Sequence, residues 1–173
     1  MITLEGLVTY KGKPITLVGE TKVEIGEKAP DFKVSKGMED DLRLSDFAGK
    51  IVVLNVVPSI DTPICASQTA KFNEAAAKLG DDVVVITVSM DLPFAIQRWC
   101  EQHGVDLIET TSDYKYHEFG KSFSLLMRGL GLLARSVFVL DSGHQVVYKE
   151  IVPVMEEEPN YDAAFAAIEQ ARG

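Results

Sequence analysis

Cysteine is scarce in this chain, with two among 173 residues. That excludes a disulfide-stapled secreted scaffold, which needs several bridges in a short chain. Histidine is scarce too. His103, His117 and His144 are dispersed, and no CxxC or HxxxH spacing occurs, so no bound metal is expected. No apolar run approaches the roughly 20 residues that span a bilayer. The start, MITLEGLVTYKGK, lacks the basic and apolar regions of a signal peptide. A membrane partner is therefore not expected, and the cytoplasm is the expected compartment. No Lys/Arg run interrupts a formal net charge of −9, which argues against nucleic acid as a partner. No glycine-rich phosphate loop follows a strand, so no nucleotide cofactor is indicated.

What is present is ordinary globular material. The hydrophobic fraction is 46% and the charged fraction 25%, a balance that supports a packed core rather than disorder. The length suits a single domain over residues 1–173, with 1–20 as an N-terminal hairpin. Residues 2–9 and 15–19 are β-rich around a Tyr10–Pro14 turn. Val23 to Leu44 reads as extended segments joined by turns. From Ile51 the pattern becomes strand, helix, strand, helix: IVVLNVV (51–57), 63–79, DVVVITVS (82–89) and 91–104, the last with Asp91 near its N-cap. SVFVLD (136–141) and HQVVYKEIV (144–152) form a second hairpin, and Pro159 to Arg172 a closing helix. The expected class is α/β, with a mixed central sheet flanked by helices; the pattern fits a thioredoxin-like fold with an added N-terminal β-hairpin.

The most informative segment is Pro58-Ser59-Ile60-Asp61-Thr62-Pro63-Ile64-Cys65, where a buried strand hands over to a helix. Thr62 suits the N-cap and Pro63 the first helical position, which puts Cys65 in the first turn. Unpaired backbone N–H groups and the positive end of the helix dipole favour a thiolate there. The size of such an effect matters. An unperturbed thiol is about 3% ionised at pH 7, and one with its pKa lowered to about 6 is roughly 90% ionised. Cys65 also shares an inward stripe with Phe72, Ala76 and Leu79. Read one at a time, each residue has a structural reason as well: Cys65 as a small buried hydrophobe, Thr62 as a cap, Pro63 as a helix starter.

The string Pro58-x-x-x-Thr62-x-x-Cys65 resembles the active-site motif of the peroxiredoxins. The longer PSIDTPIC, with the N-terminal hairpin, is similar to their thiol peroxidase subfamily, the atypical two-cysteine type. The similarity extends through KAPDFKV (28–34), DLPFAIQRWC (91–100) and LLARSVFVLD (132–141). The resemblance implies a thiol-specific peroxidase that reduces hydrogen peroxide and organic hydroperoxides in antioxidant defence. Cys65 would attack the peroxide, Thr62 would hydrogen-bond the thiolate or the peroxide, and Pro58 would shape a dry pocket wall. Arg135 would stabilise the developing charge; by its sequence context alone it reads first as a surface charge or a carboxylate partner, and only the resemblance places it in the site. No cofactor is implied, since the cysteines carry the electrons and thioredoxin returns them. A homodimer is implied by the resemblance. A redox sensor or partner-binding module using the same reactive cysteine without turnover is the alternative.

Cys100 has no comparable local case. It falls on a packed stripe with Leu92, Ala95, Ile96 and Trp99, and spacing alone reads as buried core. The resemblance makes it the resolving cysteine of a Cys65–Cys100 disulfide. Helical positions so far apart in the chain are not expected to meet at disulfide distance without local unfolding of both segments. The apolar stretch Ser124–Leu133 shows no clear period. A core loop is the simplest explanation; because the stretch leads directly to Arg135, Met127, Leu130 and Leu133 are instead expected to line the peroxide pocket or an adjoining dimer contact. Glu156-Glu157-Glu158-Pro159 reads as a solvated negative turn.

Overall fold

A computed structural model describes all residues from Met1 to Gly173. Strands β1 (Ile2–Tyr10) and β2 (Lys13–Gly19) form the expected hairpin. Its two-residue turn places Lys11 and Gly12 at φ 49° and 73°, the left-handed pair that matches strand twist. Two short strands follow, β3 (Lys33–Ser35) and β4 (Asp41–Arg43), and then β5 (Ile51–Val56), helix α1 (Pro63–Leu79), β6 (Val83–Ser89) and helix α2 (Pro93–His103). The remainder comprises β7 (Glu109–Ser112), α3 (Glu118–Phe123), β8 (Leu126–Met127), β9 (Ser136–Leu140), β10 (Val146–Ile151) and α4 (Tyr161–Ala171).

The central sheet has seven strands in the order β10-β9-β5-β6-β7-β3-β4, with β5 parallel to β6 and antiparallel to β9. Strand β5 is buried along its whole length, and its side chains alternate between two cores. Ile51 and Val53 pack with Phe72 of α1 and with Ala164, Ala167 and Ile168 of α4. Val52, Leu54 and Val56 face the larger cluster, which also holds Val8 and Leu17 of the hairpin and Phe119 and Phe123 of α3. The mixed sheet flanked by helices, with its added hairpin, is the expected architecture.

Several local expectations change. Strand β8 pairs with β2, so the Ser124–Leu133 stretch covers the hairpin instead of forming a plain loop. Met127 and Leu133 are 1% and 0% exposed and sit in the larger core; Leu130, at 39%, alone keeps exposed apolar surface. Gly129 and Gly131, at φ 84° and 67°, reverse the chain between β8 and Leu133 and hide any periodicity. Asp91 does not cap α2, whose N-cap is Leu92 without a side-chain bond. Its carboxylate turns back to the loop before α1.

Residues 105–123, to which the sequence assigned no element, hold β7 and α3. Helix α3 is organised by tertiary contacts: the buried Asp113 accepts the backbone N–H of Phe119 at 3.0 Å and of Gly120 at 2.8 Å. Burial pushes its carboxyl up to about 6, against the opposing pull of those two donors. A carboxyl raised in the folded state contributes stability that is full below its unfolded value and is lost as pH rises through the folded one. The window therefore runs from about pH 4 to about pH 6, with a total of about 3 kcal/mol. Urea midpoints of wild type and Asp113→Asn are expected to diverge across that window, with wild type losing ground as pH rises. A gap constant with pH would mean that Asp113 titrates normally.

Candidate active site

The end of β5 delivers the chain to Pro58, which is buried, and the loop to Thr62 then turns into α1. Thr62 adopts extended backbone angles (φ −87°, ψ 146°) and caps the helix, its Oγ1 accepting the Cys65 N–H at 3.2 Å. Pro63 occupies the first turn, where a missing N–H costs nothing. Cys65 is 0% exposed and shares its buried helix face with Gln68, Thr69 and Phe72.

Arg135 approaches from the opposite side, immediately before β9, and is only 3% exposed. Its Nη1 donates to Cys65 Sγ at 3.3 Å and to Gln68 Oε1 at 3.0 Å. Nε and Nη2 both donate to the Met155 carbonyl, at 3.2 and 3.1 Å. No carboxylate lies within ion-pairing distance of this buried guanidinium. A desolvated cation is costly unless its donors are met and its charge is balanced; here the donors meet the Cys65 sulfur, the Gln68 amide and the Met155 carbonyl, and the Glu158 carboxylate acts on the cation from beyond ion-pairing distance. Of the residues expected to act together, Thr62 and Arg135 each contact Cys65, the first at its backbone N–H and the second at its sulfur.

Sequence reasoning missed the polar chain behind them. Gln68 Nε2 donates to Asn55 Oδ1 at 2.5 Å, and Asn55 Nδ2 donates to Thr87 Oγ1 at 3.0 Å and Thr69 Oγ1 at 3.4 Å. These side chains are buried, and their bonds lock the orientation of the Gln68 amide toward Arg135. The available signals were a lone Asn inside an apolar strand and a Gln three residues beyond Cys65 on the buried face. Glu158 was missed as well. It is exposed, as the solvated turn predicts, but it is not unpaired: it accepts the Ser67 hydroxyl at 2.8 Å and the Tyr161 hydroxyl at 3.0 Å, with Lys71 Nζ 3.8 Å away. The Ser67 hydrogen bond foremost holds its carboxyl below the usual range, while burial and then Glu158 itself raise Tyr161. Together with the Met155 carbonyl, this segment forms the second wall beside the first turn of α1.

Cys100 lies elsewhere, half-buried on α2, and both cysteines are free thiols. It lines a groove of about 630 Å³ with Met38, Phe94, Gln97 and Thr110 among its walls. Its partial exposure departs from the fully buried position that the stripe predicts. Burial pushes the Cys100 thiol up, the Thr110 hydroxyl 3.6 Å away opposes, and Glu101 adds to the rise. Burial at rest thus disfavours the Cys100 thiolate, the nucleophilic form.

No helix of the structure is long and apolar enough to cross a membrane. The sequence profile of the Redoxin family matches residues 24–165. A thiol peroxidase of Bacillus subtilis is 49% identical over 160 residues, which span 92% of this chain and 95% of the relative. A thiol peroxidase of Streptococcus pneumoniae is 48% identical over 161 residues, or 93% of this chain and 98% of that protein. Among solved structures, a peroxiredoxin-like protein from Aquifex aeolicus superposes with a TM-score of 0.88 at 36% identity, covering 95% of this chain and 96% of that one. With a buried cysteine at a helix start, a guanidinium on its sulfur and relatives of this closeness, the chain belongs to the Redoxin family, among its thiol peroxidases.

Proposed function

We propose that this chain is a thioredoxin-dependent peroxidase for hydrogen peroxide and organic hydroperoxides, working in the cytoplasm as a homodimer. The observation that carries this reading is the Arg135 guanidinium 3.3 Å from the sulfur of Cys65, in the first turn of α1. The Cys65 thiolate attacks the terminal oxygen of the peroxide, and the O–O bond breaks. The departing oxygen takes a proton and leaves as water or alcohol, and Cys65 becomes a sulfenic acid. Arg135 and Thr62 face the charge that develops on the leaving oxygen, which lowers the barrier. Pro58 keeps water from the sulfur.

Cys100 then attacks the Cys65 sulfur. The S–S bond forms, the S–O bond breaks, and the hydroxyl leaves with the Cys100 proton as water. A dithiol reductant returns both cysteines to thiols. Cys65 lies in a capped helical turn and Cys100 in a separate helix. Both segments therefore open locally before the disulfide closes. Opening also rehydrates Cys100 and relieves the burial that disfavours its thiolate. One unit over residues 1–173, hairpin included, carries the whole cycle.

A coupled assay with thioredoxin, its reductase and cumene hydroperoxide tests the reading. Sustained reductant consumption is expected; a single equivalent followed by arrest in the wild type would instead mark a sensor. Cys100→Ser is expected to give one rapid peroxide turnover and then stop, because the sulfenic acid forms but is not resolved. Undiminished steady-state turnover in that variant would remove Cys100 from the cycle.

A further inference from the structure

The loop before α1 and the helix α2 share one small anchor. Asp91 lies between β6 and α2 and accepts two hydrogen bonds from the loop, from the Ser59 hydroxyl and the Ile60 N–H, both at 2.7 Å. Ile60 inserts its side chain into a cluster with Trp99 and Val105, against which Ala66 and Cys100 pack. This cluster has three buried members, against 22 and 9 in the two main cores. A unit with so little buried apolar surface opens at lower free energy than the sheet beneath it.

We infer that Asp91 is a positioning residue for the resolving step: its carboxylate couples the Cys65 loop to the Cys100 helix, so that both segments open as one unit. The inference rests on the proposed Cys65–Cys100 cycle and deepens it. The Pro58–Thr62 loop cannot leave without breaking both bonds to Asp91 and withdrawing Ile60 from beneath Trp99. Release of α2 withdraws Trp99 from Ile60 and loosens the segment at the start of the helix that carries Asp91. While the bonds hold, the cap on α1 is intact and Cys65 stays beside Arg135. Once they break, the sulfenic acid and the Cys100 thiol are exposed together.

Asp91→Asn tests this, because the amide retains one acceptor oxygen and turns a donor toward the other N–H or hydroxyl. Hydrogen exchange of the reduced variant is expected to quicken about tenfold in residues 59–66 and 93–100 together, the scale of losing a bond to a charged acceptor. Amides of β5 and β6 should keep wild-type rates. After one peroxide equivalent, disulfide formation should quicken by a similar factor, followed through Trp99, the sole tryptophan, while sulfenic acid formation does not accelerate. Ser59→Ala, which removes one of the two bonds to Asp91 along with the Asp61 N–H bond to the Ser59 hydroxyl, is expected to shift both measurements the same way by a few-fold. Faster exchange confined to residues 59–62 overturns the coupling. So does disulfide formation that slows along with the peroxide step, since Asp91 would then only shape the site. Absence of a Cys65–Cys100 disulfide in the wild type would sink the cycle itself, and exchange in the reduced protein would still decide whether the two segments are coupled.

Discussion

Cys65→Ser is expected to abolish sustained peroxide reduction, with a fall on the order of 10⁴-fold or more by the scale of nucleophile deletions. A serine hydroxyl at this position keeps the hydrogen-bond geometry of Thr62 and Arg135 but has almost no ionised fraction and little affinity for peroxide oxygen. The fold should be indifferent. Cys65 is fully buried, and serine nearly preserves its volume; its hydroxyl inherits Arg135 as a donor partner. A melting temperature near that of wild type combined with lost turnover is therefore the expected pair of results. Retained turnover would place the nucleophile elsewhere, and Cys100 would be the thiol to test next.

The second large effect is expected at Arg135. Arg135→Met should cut the peroxide step by about 10² to 10³-fold, the cost of removing one preorganised donor from a developing oxyanion. Here the donor is also the cation facing the sulfur, which places the effect toward the upper end. Stability is a contest between two terms. The substitution strands the Gln68 carbonyl oxygen and weakens the satisfaction of Met155 O, at about 1–3 kcal/mol per stranded buried acceptor. It also removes a buried cation without a carboxylate partner, which offsets much of that cost, and methionine fills the space of the aliphatic stem. A small net change in melting is expected beside the large kinetic loss. Arg135→Lys should recover only part of the activity. A lysine ammonium keeps the charge but cannot reproduce the planar fork that reaches Cys65, Gln68 and Met155 together. Full activity in either variant would remove the guanidinium from the chemistry.

How much of this was legible in the sequence depended on how local the cause was. Helix α1 was readable to the residue because a capping threonine, a proline and Gly80 mark its ends. Strand β5 was readable because burial on both faces leaves an almost unbroken apolar run. The start of α2 was displaced because Asp91, a good cap by type, spends its carboxylate on Ser59 and Ile60. Strand β7 and helix α3 escaped notice: the first is a polar ETTS strand, and the second has six residues and depends on Asp113 from outside the helix.

The site divides the same way. Cys65 and Thr62 were legible together because their relation is one helical turn. Arg135 lies 70 positions along the chain from Cys65, and only the resemblance pointed to it. Gln68, Asn55 and Thr87 form a chain across a helix and two strands, a pattern that no linear spacing encodes. Glu158 is one of three adjacent surface acids, and nothing in the linear sequence singles it out as the one with partners on α1 and α4. Met127 and Leu133 were assigned to the pocket because they lead to Arg135, whereas the hairpin's need for cover draws them into the core.

The most direct test of the central claim is peptide mass mapping of the reduced wild type after exactly one equivalent of hydrogen peroxide in the absence of reductant. The expected product is a single intramolecular crosslink between the peptides carrying Cys65 and Cys100, with the chain lighter by two hydrogens and no stable oxygen adduct. Two free thiols after the peroxide is consumed, or oxygen retained on Cys100 with Cys65 unmodified, would contradict the assignment of attack to Cys65 and resolution to Cys100.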